Sequence, residues 1–121
     1  MTSSGKAGPW KLSPPDVAAL FPNDPAAMRF AYGLRHGTMK LGLYATAGED
    51  RQQPHAQDEL YIVAGGSADF VRAGERVSCA THDVLFVEAG VAHRFENMSP
   101  DFLTWVIFWG PDGGEGPAPS A

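Results

Sequence analysis

Glycine and proline occur 14 and 10 times in 121 residues, and they cut the chain into short apolar runs instead of bounding long helical patterns. That punctuation points to an all-β sandwich or barrel, because each short run can cross a sheet once before a turn residue redirects it. Six strands are predicted, over Met39–Thr46, Gln57–Ala64, Ala68–Ala73, Val84–Glu88, Ala92–Asn97 and Phe102–Trp109, with further candidates at Met28–Arg35 and Arg76–Cys79. Gly65-Gly66 and Gly74-Glu75 read as hairpin-type corners, so the strand order is expected to be a meander. One helix is expected within Ser13–Leu20, where Ser13 can cap, Pro14 and Pro15 suit the first turn and Val17–Leu20 supply an apolar face.

The strand Phe102–Trp109 is apolar on both alternating faces, with Phe102, Val106 and Phe108 on one and Leu103, Trp105, Ile107 and Trp109 on the other. One face fills the barrel, and the other needs a cover. The N-terminal segment containing Trp10, Leu20 and Phe21 could supply it, or a second subunit could; a homodimer is the expected assembly. A hydrophobic content of 44% and a mass of 12.9 kDa allow one core and one domain. The expected division is an N-terminal arm over 1–27, a barrel over 28–110 and a flexible tail over 111–121, with Met1–Gly8 mobile as well.

A net charge of -5 without a basic stripe argues against nucleic acid as a partner. No apolar run approaches membrane-spanning length, Trp105–Trp109 being the longest, and no membrane partner is expected. Cys79 is the lone thiol, and no apolar signal core opens the sequence, so a cytoplasmic address is predicted.

Among the histidines His36, His55, His82 and His93, two stand in unusual contexts. If Gln53–Glu59 is extended, then Gln53, His55, Gln57 and Glu59 project to one side as a polar row. His93 opens a strand after the turn at Gly90 and shares a face with Phe95 and Asn97. Together His55, Glu59 and His93 make two imidazoles and one carboxylate, a donor set that leaves open positions on iron or a similar divalent ion. Spacing alone is equally compatible with an exposed loop His55 and a hydrogen-bonded strand His93. Tyr61, on the Glu59 face, Tyr44, on the preceding strand, and Phe95 are candidates for the lining of a substrate pocket. Arg35-His36 reads as a solvated loop pair that could lie at a barrel mouth, and His82-Asp83 reads as a turn.

Two blocks of the sequence resemble the paired signatures of the cupin superfamily, G(x)5HxH(x)3-4E(x)6G and G(x)5PxG(x)2H(x)3N. Gln53, His55, Glu59 and Gly66 keep the spacing of the first motif after its leading glycine, and Gly90, His93 and Asn97 keep that of the second. Gln53 stands at the first-histidine position, Gly48 is one residue too close for the leading glycine, and His82 and Glu88 replace the second motif's opening Gly and its Pro.

The resemblance implies a small single-domain cupin 2-like β-barrel of jelly-roll type with a short N-terminal helical segment. It implies a divalent ion (Fe, Mn, Ni or Zn) held by His55, Glu59 and His93, with Gln53 as a weaker fourth ligand and Gln57 as its rival on the same face. The function it implies is that of a metal-dependent enzyme acting on a small organic metabolite, most readily by oxygenase chemistry, with isomerase chemistry as another form. A non-catalytic barrel that binds a small molecule as carrier or sensor is the alternative, and a purely structural dimerisation unit is the third.

Overall fold

The structure, a computed structural model, describes residues 9–45, 50 and 52–117. Its elements in chain order are α1 (Pro14–Ala18), β1 (Arg29–His36), β2 (Met39–Ala45), β3 (Asp58–Gly65), β4 (Ser67–Arg72), β5 (Glu75–Ala80), β6 (Val84–Val87), β7 (His93–Glu96) and β8 (Leu103–Trp109). All six predicted strands and both further candidates are present. Thr46, Gly48, Met1–Gly8 and the end of the tail lie outside the described residues. Among the described residues, no helix is long and apolar enough to cross a membrane.

The strands form two antiparallel sheets, one ordered β1-β2-β8-β3-β6 and the other β5-β4-β7. The meander expectation is thereby corrected: only β1–β2 and β4–β5 pair in sequence, and β8 inserts between β2 and β3. Alternation tells which face of a strand is buried and nothing about which strand lies beside it, so the jelly-roll order had no local signature. The β4–β5 corner also moves by one residue. Ala73 and Gly74 form the two-residue turn, with φ of 50° and 84°, and Glu75 already belongs to β5.

The core lies between the inner faces of the sheets and is dominated by Tyr44, Tyr61, Val63, Phe70, Val87, Phe95, Phe102, Val106 and Phe108. Along β8 burial alternates residue by residue, with Thr104, Val106 and Phe108 buried and Leu103, Trp105, Ile107 and Trp109 half-buried. The outer face receives a partial cover. Helix α1 packs on β1 and β2, and its fully buried Val17 lies over Gly33, where an added Cβ would come within 2.7 Å of Val17 Cγ2. Trp10 and Leu20 remain 95% and 60% exposed, so much of the arm's apolar surface is not spent on that cover.

Gly66 switches the chain from one sheet to the other. Its φ is +70°, and a Cβ there would sit 2.4 Å from Ser99 Oγ and 2.8 Å from the Phe102 backbone. Left-handed strain plus this overlap gives Gly66→Ala an expected loss of about 2–4 kcal/mol, measurable by urea unfolding.

Candidate metal centre

The segment leading into β3 is not a ladder strand. It is held by loop contacts, with the Gly90 N–H donating to the His55 carbonyl (2.8 Å) and the Gly113 N–H to that of Ala56 (2.7 Å). Pairing begins only at Asp58, so the expected polar row does not form as one continuous face. Asp58 instead accepts the Ala89 and Glu115 N–H groups and pins the loops at this end. The Gln57 amide is committed elsewhere, donating to the carbonyls of Thr38 and Gly110. Gln53 is exposed.

What the loop does bring together is His55, Glu59 and His93, with one ligand atom from each lying within 4.8 Å of the others. Glu59 arrives on β3 and His93 at the start of β7, from opposite sheets, while Gly90 ties the His55 loop to the chain entering β7. Glu59 Oε1 is 3.0 Å from His93 Nε2 and 3.7 Å from His55 Nε2. Ligand atoms about 2.1 Å from a shared ion at tetrahedral or octahedral angles lie roughly 3.0–3.4 Å apart; the two Glu59–imidazole separations are near this, and the His55–His93 separation, within 4.8 Å, would close to it by a small shift of the loop-borne His55 ring.

The donor set is also unsatisfied without a cation. Glu59 is 1% exposed; outside the cluster neither of its oxygens nor His55 Nε2 has a hydrogen-bond partner among the described residues, and within it a protonated His93 Nε2, 3.0 Å away, can donate to Glu59 Oε1. Buried polar atoms normally find partners, so donors that converge with at most a His93 proton among them fit a divalent ion.

The tautomer of His93 suits the same role. Its Nδ1–H donates to the Val91 carbonyl (2.8 Å), which leaves a lone pair on Nε2. The Tyr61 hydroxyl lies 3.1 Å from that nitrogen but has only one proton to give, and Gln52 Oε1 accepts it at 2.9 Å. Gln52 cannot usefully flip, because its Nε2 donates to Asp50 Oδ2 (3.0 Å). Asp50 further accepts from the Tyr44 hydroxyl (2.7 Å) and the Phe95 N–H (2.7 Å). A network of Asp50, Gln52, Tyr44 and Tyr61 thus orients the phenol beside His93, and Phe95 packs edge-on against the Tyr61 ring at 4.9 Å. Gln52 and Asp50 were missed by sequence reasoning: they sit in a loop with no periodicity, one and three residues before Gln53, the amide that motif spacing selects.

Burial lowers the His55 pKa, opposed by Glu59 and reinforced by His93 and Lys40, so this imidazole is neutral and ready to ligate at neutral pH. At His93 burial also pulls downward, but the adjoining Glu59 carboxylate and the Val91 hydrogen bond outweigh it and the net shift is upward. Burial and Glu59 raise the Tyr61 phenol well above its ordinary value, so it stays neutral. A metal must displace the His93 proton. Metal affinity is therefore expected to climb as the pH rises from 6.5 through the elevated His93 range, with a proton released on binding, which titration calorimetry in buffers of different ionisation enthalpy reads directly.

The family model of the cupin domain matches residues 42–109. An uncharacterised protein of Streptomyces coelicolor is 44% identical over 92 residues, spanning 74% of this chain and 85% of that protein. The chain belongs to the cupin family. Among solved structures, KdgF from a Halomonas species superposes with a TM-score of 0.63 at 14% identity, covering 73% of this chain and 82% of that one. A cupin superfamily protein of Desulfitobacterium hafniense gives a TM-score of 0.62 at 18% identity, covering 84% and 93%. A Thermus thermophilus protein gives 0.64 at 23%, covering 79% and 96%. At these identities the cupin neighbours establish the β-barrel fold and leave the chemistry open.

Proposed function

We propose that this cupin is a metal-dependent enzyme that acts on a small organic metabolite by oxygenase-type chemistry at a 2-His-1-carboxylate centre. The observation that carries the reading is the buried convergence of His55 Nε2, Glu59 Oε1 and Oε2, without partners outside the cluster, on His93 Nε2. Three protein ligands on a divalent ion supply open positions for a chelating substrate and a second small ligand such as O2.

The chain's own residues do the rest. His55 and His93 bind as neutral imidazoles, and Glu59 contributes the negative charge that offsets the cation. The Phe108 ring against His55 and the Phe70 ring against His93 flank the imidazoles, and with Phe95 packed on Phe70 they exclude water from the barrel interior. The Tyr61 hydroxyl, held neutral, is a fixed hydrogen-bonding group for a ligand entering beside His93. Small acids that chelate, such as hydroxy- and keto-acids, match these open positions.

A second reading, a non-catalytic carrier or sensor, is favoured by the phenol's commitment to Gln52, since among the described residues Tyr61 is the one proton donor placed at the His93 nitrogen. Nitric oxide titration of the ferrous protein separates the two. A nitrosyl signal perturbed by a hydroxy-acid is expected from the oxygenase, and the absence of any adduct favours the carrier.

Homodimerisation belongs to the same proposal. The outer face of the five-stranded sheet carries an apolar groove of about 290 Å³ running from Trp10 and Leu12 on the arm to Ile62, Trp105 and Ile107. A second copy laid on this groove would cover the exposed Trp10. Light scattering is expected to return twice the 12.9 kDa chain mass for wild type and the chain mass for Trp105→Glu. A monomeric wild type would contradict it.

A further inference from the structure

The inner face of the five-stranded sheet holds a row of residues at the level of Glu59. The ladders place Arg35 opposite Lys40, Lys40 opposite Phe108 and Phe108 opposite Glu59. Simple alternation would send Tyr32 and Arg35 to opposite faces. The register shift between Tyr32 and Leu34, at Gly33, adds a residue to β1 and brings both to the inner side.

The contacts bear this out. The Arg35 guanidinium carbon lies 4.3 Å from the Tyr32 ring centre, and Lys40 Nζ lies 5.8 Å from the same ring and 5.5 Å from that of Phe108. Phe108 in turn meets the His55 ring at 4.8 Å. Two cations directly opposite each other on antiparallel strands repel, and among the described residues neither Arg35 nor Lys40 has a carboxylate partner. The bulge turns a second cation toward the first on the face that carries Glu59, and with Arg35 exposed and Lys40 half-buried both are open to an anion.

We infer that Arg35 and Lys40 bind the remote anionic group of a small diacid whose chelating end occupies the His55–Glu59–His93 centre. Specificity for a dicarboxylate rests on the metal reading above and extends it. The dimensions agree. Lys40 Nζ and the His55 ring both lie against Phe108, 5.5 and 4.8 Å from its ring centre, which puts them within about 10 Å of each other, a separation that a five-carbon diacid chelated at one end can bridge. Charge-assisted pairing to two cations then discriminates a terminal carboxylate from a methyl group.

The test titrates full-length, Mn²⁺-loaded protein calorimetrically with 2-hydroxyglutarate and with 2-hydroxypentanoate, which has the same chain length but lacks the distal carboxylate. Wild type is expected to bind the diacid about 10- to 100-fold more tightly. In the Arg35→Gln, Lys40→Met double variant the ratio should fall below about threefold, while affinity for Mn²⁺ and for 2-hydroxypentanoate is retained, which also reports that the variant is folded. Mn²⁺ uptake with equal affinities for the two acids, with no binding of either, or with the ratio preserved in the double variant overturns this inference alone. Wild type that takes up no Mn²⁺ overturns the metal reading and this inference with it.

Discussion

Glu59→Leu is expected to lose metal binding by about 100-fold or more and, in the same protein, to make the metal-free fold more stable than metal-free wild type. The two effects have one cause. A carboxylate 1% exposed with no partner outside the cluster is costly to bury, and without a metal only the protonated His93 beside it, itself buried, offsets that cost. Leucine has similar volume and no polar atom, and beside it His93 can remain neutral, keeping its Nδ1 bond to Val91. Replacements of this kind stabilise by about 1–4 kcal/mol in comparable settings. Urea unfolding of both proteins in chelator checks the sign. If Glu59→Leu is less stable than wild type under those conditions, the Glu59–His93 pair is a structural element of the fold and the cluster is not built for a metal.

Phe95→Ala is expected to cost about 3–5 kcal/mol, the largest stability loss in the barrel. Phe95 is 1% exposed, and its ring meets Tyr61, Phe70 and Phe102 at 4.9, 5.0 and 4.8 Å, so it joins strands of both sheets to the β8 approach. Its N–H also donates to Asp50, the residue that orients Gln52 and through it Tyr61. Thermal unfolding should show a fall of roughly 10–20 °C. Phe95→Leu, which retains most of the volume, should lose much less. A loss for Phe95→Leu as large as that for Phe95→Ala would contradict this, because it would put the whole effect in the ring contacts and none in the volume.

The parts of this protein legible in its sequence are those with a short-range signature. The double apolar face of Phe102–Trp109 identified the central strand, and the burial of alternate residues along β8 follows that pattern. Motif spacing picked out His55, Glu59 and His93, and the fold brings the three within ligating distance. Strand neighbours were not legible, because the pairing of β8 with β2 and β3 depends on residues some 40–65 positions away.

Loop geometry was the other gap. His55 reaches the cluster from a segment held by Gly90 and Gly113 N–H groups, so period-two reasoning could not tell Gln52, which contacts Tyr61, from Gln53, which is exposed. Arg35, read with His36 as a solvated loop pair that could lie at a barrel mouth, is exposed, but it belongs to the end of β1 and its guanidinium lies over Tyr32. The signal that could have found it was Gly33, an isolated glycine inside a strand pattern and a common mark of a bulge.

The central claim is that one divalent ion sits among His55, Glu59 and His93. The most direct test is an anomalous-difference map from crystals grown with Fe²⁺, Mn²⁺, Ni²⁺ or Zn²⁺, recorded at that metal's absorption edge. The expected result is a single peak per chain, about 2.0–2.2 Å from His55 Nε2, His93 Nε2 and a Glu59 carboxylate oxygen. No peak at this position with any of the four metals, or full occupancy at a site that excludes Glu59, would contradict it.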